Sequence, residues 1–213
     1  MRLVLASASP RRRELLSSLG LAFEVCPPHV AEEPLPGETP LQTQERITRD
    51  KAAVAQRQIG DPQAAIVACD TTVLLLDGTM LNKPRNAPEA RAMLRTLRQQ
   101  GEHVVQSVLV TRHGQREMLS VVTSQVFMRP YTDVEMDAYI ASGEPFDKAG
   151  GYAVQDAHFR PVLRIVGCPL NVVGLPLCCL RQHLPSLPNP AAVCQARFGG
   201  IICPAVRCEV TII

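Results

Sequence analysis

Tryptophan is absent from the chain, and only 4% of its 213 residues are aromatic. So few rings leave little to build a stacking platform for single-stranded nucleic acid. The net charge is only +2, with no basic block and no alternation of basic and aromatic residues, which argues against any nucleic-acid partner. No apolar stretch of about 18 residues occurs, so no membrane span is expected. The amino end offers Arg2, a short apolar run and Ala6-Ser7-Ala8, but four apolar residues fall short of the roughly 7–15 of a signal-peptide core. A cytoplasmic location is the expectation. Repeats, low-complexity tracts and the G-x-x-x-x-G-K-[ST] phosphate loop are all missing. Eight cysteines are present (Cys26, Cys69, Cys168, Cys178, Cys179, Cys194, Cys203 and Cys208), with no C-x-x-C pair and no histidine at zinc spacing. They read as reduced, mostly buried thiols.

What remains is ordinary globular material, 46% apolar and 20% charged, long enough for one domain or two intimate lobes. The stretch from Leu3 to Leu19 organises it. Leu3 to Ala6 has strand character, and Leu15, Leu16 and Leu19 recur at helical spacing before Gly20. Ser9 is a natural N-cap, and Pro10 fits the first helical position. Arg11, Arg12 and Arg13 then fall in the first turn, against the positive end of the helix dipole. An anion held by backbone N–H groups and guanidiniums would explain that placement, and a phosphate suits it. A solvated basic turn is the alternative.

Further along, Phe23 to Cys26 reads as a strand, followed by Pro27-Pro28 and the acidic loop Ala31-Glu32-Glu33-Pro34. Loops after strands are where α/β folds place chemistry. Thr39-Pro40 opens a helix to about Ile59 with an apolar face of Ile47, Val54, Ala55 and Ile59. Its basic residues Arg46, Arg49, Lys51 and Arg57 read mostly as solvent-facing, and spacing does not single out Lys51. Ala64 to Ala68 is a buried strand that runs into Cys69-Asp70-Thr71-Thr72 before Val73 to Leu76. An aspartate between two apolar segments is costly unless it is paired, hydrogen-bonded or bound to metal. Either it bonds the turn backbone or it serves as metal ligand or general base. Asp77-Gly78 reads as a hairpin turn whose return carries Lys83-Pro84 towards Asp70. A helix over Pro88–Leu97, strands over His103–Thr111 and Met118–Met128, and a helix over Asp133–Ala141 follow. The polar, Gly-rich loop Ser142–Tyr152 is too long for a mere turn. A strand over Val162–Val166 and a helix ending near Leu184 complete the order, which implies an α/β fold with a mixed sheet.

Taken together these pieces resemble the Maf family of nucleoside triphosphate pyrophosphatases. The matching segments are Ala6-Ser7-Ala8-Ser9-Pro10-Arg11-Arg12, Glu32-Glu33, Lys51-Ala52, Asp70-Thr71, Lys83-Pro84 and His103-x-Val105. Gly143-Glu144-Pro145-x-Asp147-Lys148-Ala149-Gly150-x-Tyr152, Gln155 and Asn171-Val172-Val173-Gly174-Leu175-Pro176 complete the set. They span residues 1–184 in the family's order. The resemblance implies an extended mixed sheet flanked by helices, two lobes around a central cleft, and a divalent cation, Mg²⁺ or Mn²⁺. It implies hydrolysis of a nucleoside triphosphate to the monophosphate and pyrophosphate. By position it makes Asp70 the general base, Glu33 its partner at the metal, and Arg12, Lys51 and Lys83 the phosphate contacts. Ser7, Arg11, Thr71, Lys148 and Gln155 fall on substrate-binding positions. Arg11, Thr71 and Gln155 match the branch associated with dTTP and UTP rather than 7-methyl-GTP. Gln155 offers a donor and an acceptor to an O4 and N3–H base edge. A nucleotide-binding regulator of cell division with little turnover is the rival reading, and a homodimer is left open.

Two departures stand out. Asp156 follows Gln155 where glycine is usual, adding an acceptor that would admit CTP, and Ser107 replaces threonine. Residues 185–213 match none of these motifs; the tail is open between a surface strand, a subunit contact and a poorly ordered end.

Overall fold

The computed structural model describes residues 1–199 and 209–212; Cys203 and Cys208 fall outside that range. Strand β1 (Leu3–Leu5) is wholly buried and pairs in parallel with β2 (Glu24–Val25) and β3 (Ala65–Leu74). The mixed sheet continues through β5 (Glu102–His113) and β6 (Arg116–Met128) to β7 (Val162–Val166), in the order β2-β1-β3-β5-β6-β7. Strand β4 (Met80–Leu81) lies antiparallel on β3, and β8 (Glu209–Ile212) lies antiparallel on β6 at Met118–Val121.

Helices α1 (Pro10–Ser17), α2 (Pro40–Ile59), α3 (Ala87–Gln100) and α4 (Asp133–Ala141) all begin on a side-chain cap, from Ser9, Thr39, Asn86 and Thr132. Thr39 with Gln42 and Thr132 with Glu135 form full capping boxes, each satisfying two otherwise orphaned N–H groups. Three shorter helices follow: α5 (Pro169–Val173), α6 (Leu177–His183) and α7 (Ala191–Phe198).

The chain divides into two compact units. The first comprises Met1–Asp70, Ser107–Val122 and Gly174–Ile213. Its core sets Val4, Ala6, Ile66, Ala68, Val108 and Val110 against Ala52 and Ala55 of α2, small residues that let the helix approach the strands closely. The second comprises Thr71–Gln106 and Thr123–Val173. There Val73, Leu81, Val105 and Val126 meet Leu94 and Leu97 of α3 and Met136, Tyr139 and Ile140 of α4.

Several expectations needed correction. Asp70 does not interrupt a strand, because β3 runs through it for 10 residues. The buried face of α2 includes Gln44 and Thr48, whereas Val54 is only half-buried; the helix is turned so that part of its polar side faces inward. The Gly-rich loop contains two 3-10 turns, Glu144–Asp147 and Ala149–Gly151. The described part of the tail holds α7, tied to α1 by an ion pair between Arg197 and Glu14 at 2.7 Å. In keeping with the expected burial, Cys69, Cys168, Cys179 and Cys194 are buried, and Cys26 and Cys178 half-buried.

The core of the second unit contains one titratable pair. His103 Nε2 lies 2.7 Å from the Tyr152 hydroxyl, both residues are buried, and His103 Nδ1 has no hydrogen-bond partner among the described residues. Burial lowers the His103 pKa from 6.5 to about 4. Between those values the unfolded chain binds more protons than the folded one, so this contribution is fully present above pH 6.5 and lost as the pH falls towards 4. The shift is equivalent to about 3 kcal/mol. Denaturant titrations across that window should show stability falling with acidification, and the slope should flatten by about one proton in His103→Gln.

Candidate active site

The polar stripe on the buried side of α2 is built around β3. Gln44, Thr48 and Lys51 are spaced i, i+4 and i+7, which stacks them on one helical face. The fully buried Thr48 hydroxyl donates to the Gln44 carbonyl at 2.7 Å. The Gln44 amide in turn donates to the main-chain carbonyl of Asp70 at 3.0 Å. One turn further on, Lys51 Nζ lies 3.4 Å from Asp70 Oδ1 and 2.8 Å from Glu32 Oε1. The Lys51 side chain is 12% exposed, that of Asp70 27% and that of Glu32 63%. An ammonium so far withdrawn from water needs anionic partners to be tolerable, and it has two.

The acidic loop has its own anchor. Arg46 donates to Glu38 through Nε at 2.6 Å and Nη2 at 2.9 Å, and its Nη2 also donates to the Glu33 carbonyl at 2.8 Å. Glu38 additionally accepts from the Leu35 N–H and the Thr43 hydroxyl, each at 2.9 Å. These bonds, led by the Arg46 guanidinium, hold the Glu38 carboxyl down at about 2. Arg46 is therefore not a solvent-facing residue, whereas Arg49 keeps 40% of its side chain exposed and lies 3.8 Å from Glu117. Glu33 presents its backbone to Arg46, and the carboxylate that reaches Lys51 is that of Glu32.

Around the start of α1 the geometry is equally specific. Buried Ser7 accepts from the Ser9 N–H at 3.2 Å and from Arg12 Nη1 at 3.1 Å. Its hydroxyl hydrogen remains available to donate. Arg12 Nε also donates to the Gly174 carbonyl at 2.9 Å, an oxygen shared with the Cys69 thiol at 3.4 Å. Arg11 is half-buried, whereas Arg13 is exposed and has no ion pair or hydrogen bond among the described residues.

In the second unit Thr71 is half-buried and, as the next residue of β3, points to the opposite face from Asp70. Lys83 follows β4, is exposed, and carries no partner among the described residues. Lys148 does not present a free ammonium. Its Nζ donates to the Glu144 carbonyl at 2.5 Å, the Glu144 carboxylate at 2.9 Å and the Asp147 carboxylate at 2.6 Å, which uses all three N–H positions. The same loop passes close to its neighbours at two left-handed glycines. Gly150 (φ 70°) donates to the Asn82 carbonyl at 3.1 Å, and a Cβ there would meet Val73 at 3.2 Å. Gln155 is exposed, with its amide unpaired among the described residues. Asp156 closes its own turn through one carboxylate oxygen, Oδ1 accepting from the His158 and Phe159 N–H groups at 3.0 and 2.6 Å.

Among the described residues no group of three or more His, Cys, Asp or Glu side chains is placed to hold a metal ion. The donor set nonetheless fits a hard cation that shares its coordination with phosphate. Magnesium typically takes one or two carboxylates and fills the rest of its shell from water and substrate, and Asp70 with the Glu32–Glu33 loop supplies that number. No helix among the described residues is long and apolar enough to cross a membrane.

Fold and site together define an α/β protein that gathers cations and carboxylates in the manner of a polyphosphate-handling enzyme. The chain matches the Maf-like protein family over residues 2–187 and belongs to that family. It is 43% identical over 217 residues to the dTTP/UTP pyrophosphatase of Thermomicrobium roseum, a match covering 99% of this chain and 97% of that one. It is 44% identical over 179 residues to the dTTP/UTP pyrophosphatase of Anaeromyxobacter dehalogenans strain 2CP-1, covering 83% and 89% of the two chains. Against the dTTP/UTP pyrophosphatase of Vibrio cholerae the identity is 42% over 176 residues, covering 83% and 92%. The first of these matches runs on into residues 185–213, so the tail has a counterpart in a relative.

Sequence reasoning missed Gln44, Glu38 and Arg46. The signal for Gln44 was the i, i+4, i+7 polar series ending on Lys51; for the other two there was none short of the fold. Removing the guanidinium in Arg46→Ala should free the acidic loop. The Leu35 and Glu38 backbone amides, both hydrogen-bonded within the loop, are expected to exchange at least roughly tenfold faster by hydrogen exchange, with α3 and α4 unaffected.

Proposed function

We propose that this protein hydrolyses the α–β phosphoanhydride of dTTP and UTP, giving the nucleoside monophosphate and pyrophosphate. The observation that carries the proposal is Lys51 held between Asp70 and Glu32, in a chain related along most of its length to curated dTTP/UTP pyrophosphatases. The reaction adds water at the α-phosphorus and expels pyrophosphate. Its demands are a proton acceptor for the water and positive charge along the triphosphate.

Asp70 is the acceptor in this reading. It is partly exposed and its main-chain carbonyl is held by Gln44, so its carboxylate starts from a fixed backbone. Lys51, Arg12 and Lys83 carry charge to the phosphates; Lys83 has no partner among the described residues, and Arg12 is already oriented by Ser7 and Gly174. Asp70 and Glu33 would hold Mg²⁺ or Mn²⁺, with Glu32 paired to Lys51. Such a cation supplies charge neutralisation and a more acidic bound water when present. Lys148 serves by shaping the loop that leads to Gln155 rather than by touching phosphate. Free triphosphate as the substrate fits action in the cytoplasm.

Gln155 carries base choice. Its amide can present a donor and an acceptor, and it is exposed and unpaired among the described residues. A pyrimidine with O4 and N3–H matches both. The wrong edge leaves polar groups unpaired and is rejected accordingly.

Incubation with dTTP, UTP, CTP, GTP and 7-methyl-GTP in the presence of Mg²⁺ or Mn²⁺ tests the reading. Pyrophosphate and monophosphate are the expected products; orthophosphate with a diphosphate would refute it. Asp70→Asn should lower kcat by at least roughly 10²-fold, the scale of a lost general base, while the protein still folds. Purine triphosphates should be at least about tenfold worse than dTTP and UTP in kcat/KM, about 1.4 kcal/mol. Gln155→Ala should erase most of that gap, and a variant as selective as the native protein would move base recognition elsewhere.

A further inference from the structure

The segment carrying Gln155 is built as two consecutive turns that share one residue. In the first, the Asp156 N–H donates to the Ala153 carbonyl at 3.3 Å, which leaves Val154 and Gln155 at the turn's two central positions. In the second, Asp156 Oδ1 accepts from the His158 N–H at 3.0 Å and the Phe159 N–H at 2.6 Å. This is the local side-chain bond that lets aspartate close a turn on its own backbone. Asp156 thus belongs to the first turn through its amide and to the second through its carboxylate.

Both turns are referenced to the same core ring. The Ala153 N–H donates to the Tyr139 hydroxyl at 3.1 Å, and the Phe159 ring stacks on Tyr139 with centroids 4.4 Å apart and planes 15° apart. Beyond Phe159, Arg129 donates to the Phe159 carbonyl at 2.6 Å and the Arg160 carbonyl at 2.8 Å, where Arg160 holds a left-handed φ of 44°. Before Ala153, the Tyr152 hydroxyl meets His103 at 2.7 Å. Tyr152, Ala153, Asp156, His158 and Phe159 on either side of Gln155 are therefore held, while the Gln155 side chain is left exposed.

We propose that Asp156 is a positioning residue for base selection: its carboxylate fixes the turn that aims the Gln155 amide at a pyrimidine edge. The inference rests on the reading of Gln155 given above. Hydrogen-bond discrimination needs donor and acceptor within a few tenths of an ångström and near-linear angles. A central turn residue meets that demand only if the turn does not open. Release of Oδ1 leaves the His158 and Phe159 amides without their acceptor and lets the second turn relax, and the first relaxes with it.

The graded series Asp156→Asn, Asp156→Ser and Asp156→Ala tests this. Asparagine keeps an oxygen of the same reach, serine offers a shorter and weaker one, and alanine has none. For Asp156→Ala, the KM for UTP should rise at least about fivefold with kcat within about twofold, the pattern of lost ground-state binding. The UTP-to-GTP ratio of kcat/KM should shrink by a similar factor, with Asp156→Ser between and Asp156→Asn close to the native protein. Hydrogen exchange at His158 and Phe159 should accelerate in the same order. If Asp156→Ala does not fold, the comparison of Asp156→Ser with Asp156→Asn decides. An unchanged UTP-to-GTP ratio in a native protein that does prefer UTP overturns the role of Asp156 and leaves the pyrimidine reading standing. Asp156→Asn as impaired as Asp156→Ala overturns it too, because the negative charge would then be what matters. A native protein with no preference for UTP over GTP overturns both.

Discussion

Lys51 is the residue on which the first unit's chemistry turns. A lysine on the inward face of a helix carries an ammonium that the interior does not tolerate alone, and the two carboxylates within 3.4 Å are what make its position sustainable. The dependence is mutual. Asp70 lies within a strand whose preceding residues Ala65 to Cys69 are all buried, and a carboxylate at the end of such a run also needs a partner. Gln44 extends the same logic two turns back along α2, by satisfying the main-chain carbonyl of Asp70 from a helix face that would otherwise be apolar, while Thr48, one turn back, bonds the Gln44 carbonyl of its own helix. Helix and strand are thus coupled through polar groups as well as through Ala52 and Ala55.

Loops bearing further site residues are stiffened by ion pairs that never leave the loop's own neighbourhood. Glu38 and Arg46 close the acidic loop, and Lys148 with Glu144 and Asp147 closes the Gly-rich one. Exposed ion pairs contribute little to global stability. Here their hydrogen-bond partners include backbone groups, the Leu35 N–H as donor and the Glu33 and Glu144 carbonyls as acceptors, so their effect is to fix local conformation. Preorganisation of this sort lowers the ordering that binding would otherwise require. Meanwhile Lys83, Arg13 and Gln155, with no partners among the described residues, are the groups with bonding capacity in reserve.

The motifs were legible in the sequence to different depths. Caps at Ser9, Thr39 and Thr132 stand where local chemistry puts them, because a cap bonds residues two or three positions away. Lys148 was read as a substrate contact, yet its three acceptors lie within four residues. A basic residue flanked by acids in a tight turn was itself the clue. Asp156 has a local role that its spacing also signals, since an aspartate two or three residues before available N–H groups closes its own turn.

Local order and periodicity by themselves determined the element sequence, the capped helix starts, the strand character of Leu3–Leu5 and the family motifs that carry Asp70, Lys51 and Lys83. These depend on interactions a few residues long, which a linear pattern records directly. Only the tertiary structure decided that α2 turns Gln44 and Lys51 inward, that Glu32 rather than Glu33 meets Lys51, and that Arg46 anchors the acidic loop. The same holds for Arg12, whose partner Gly174 is 162 positions away along the chain. Periodicity marks which residues share a face, but the partner a polar group finds there is set by the packing of distant segments, and that choice is made in three dimensions.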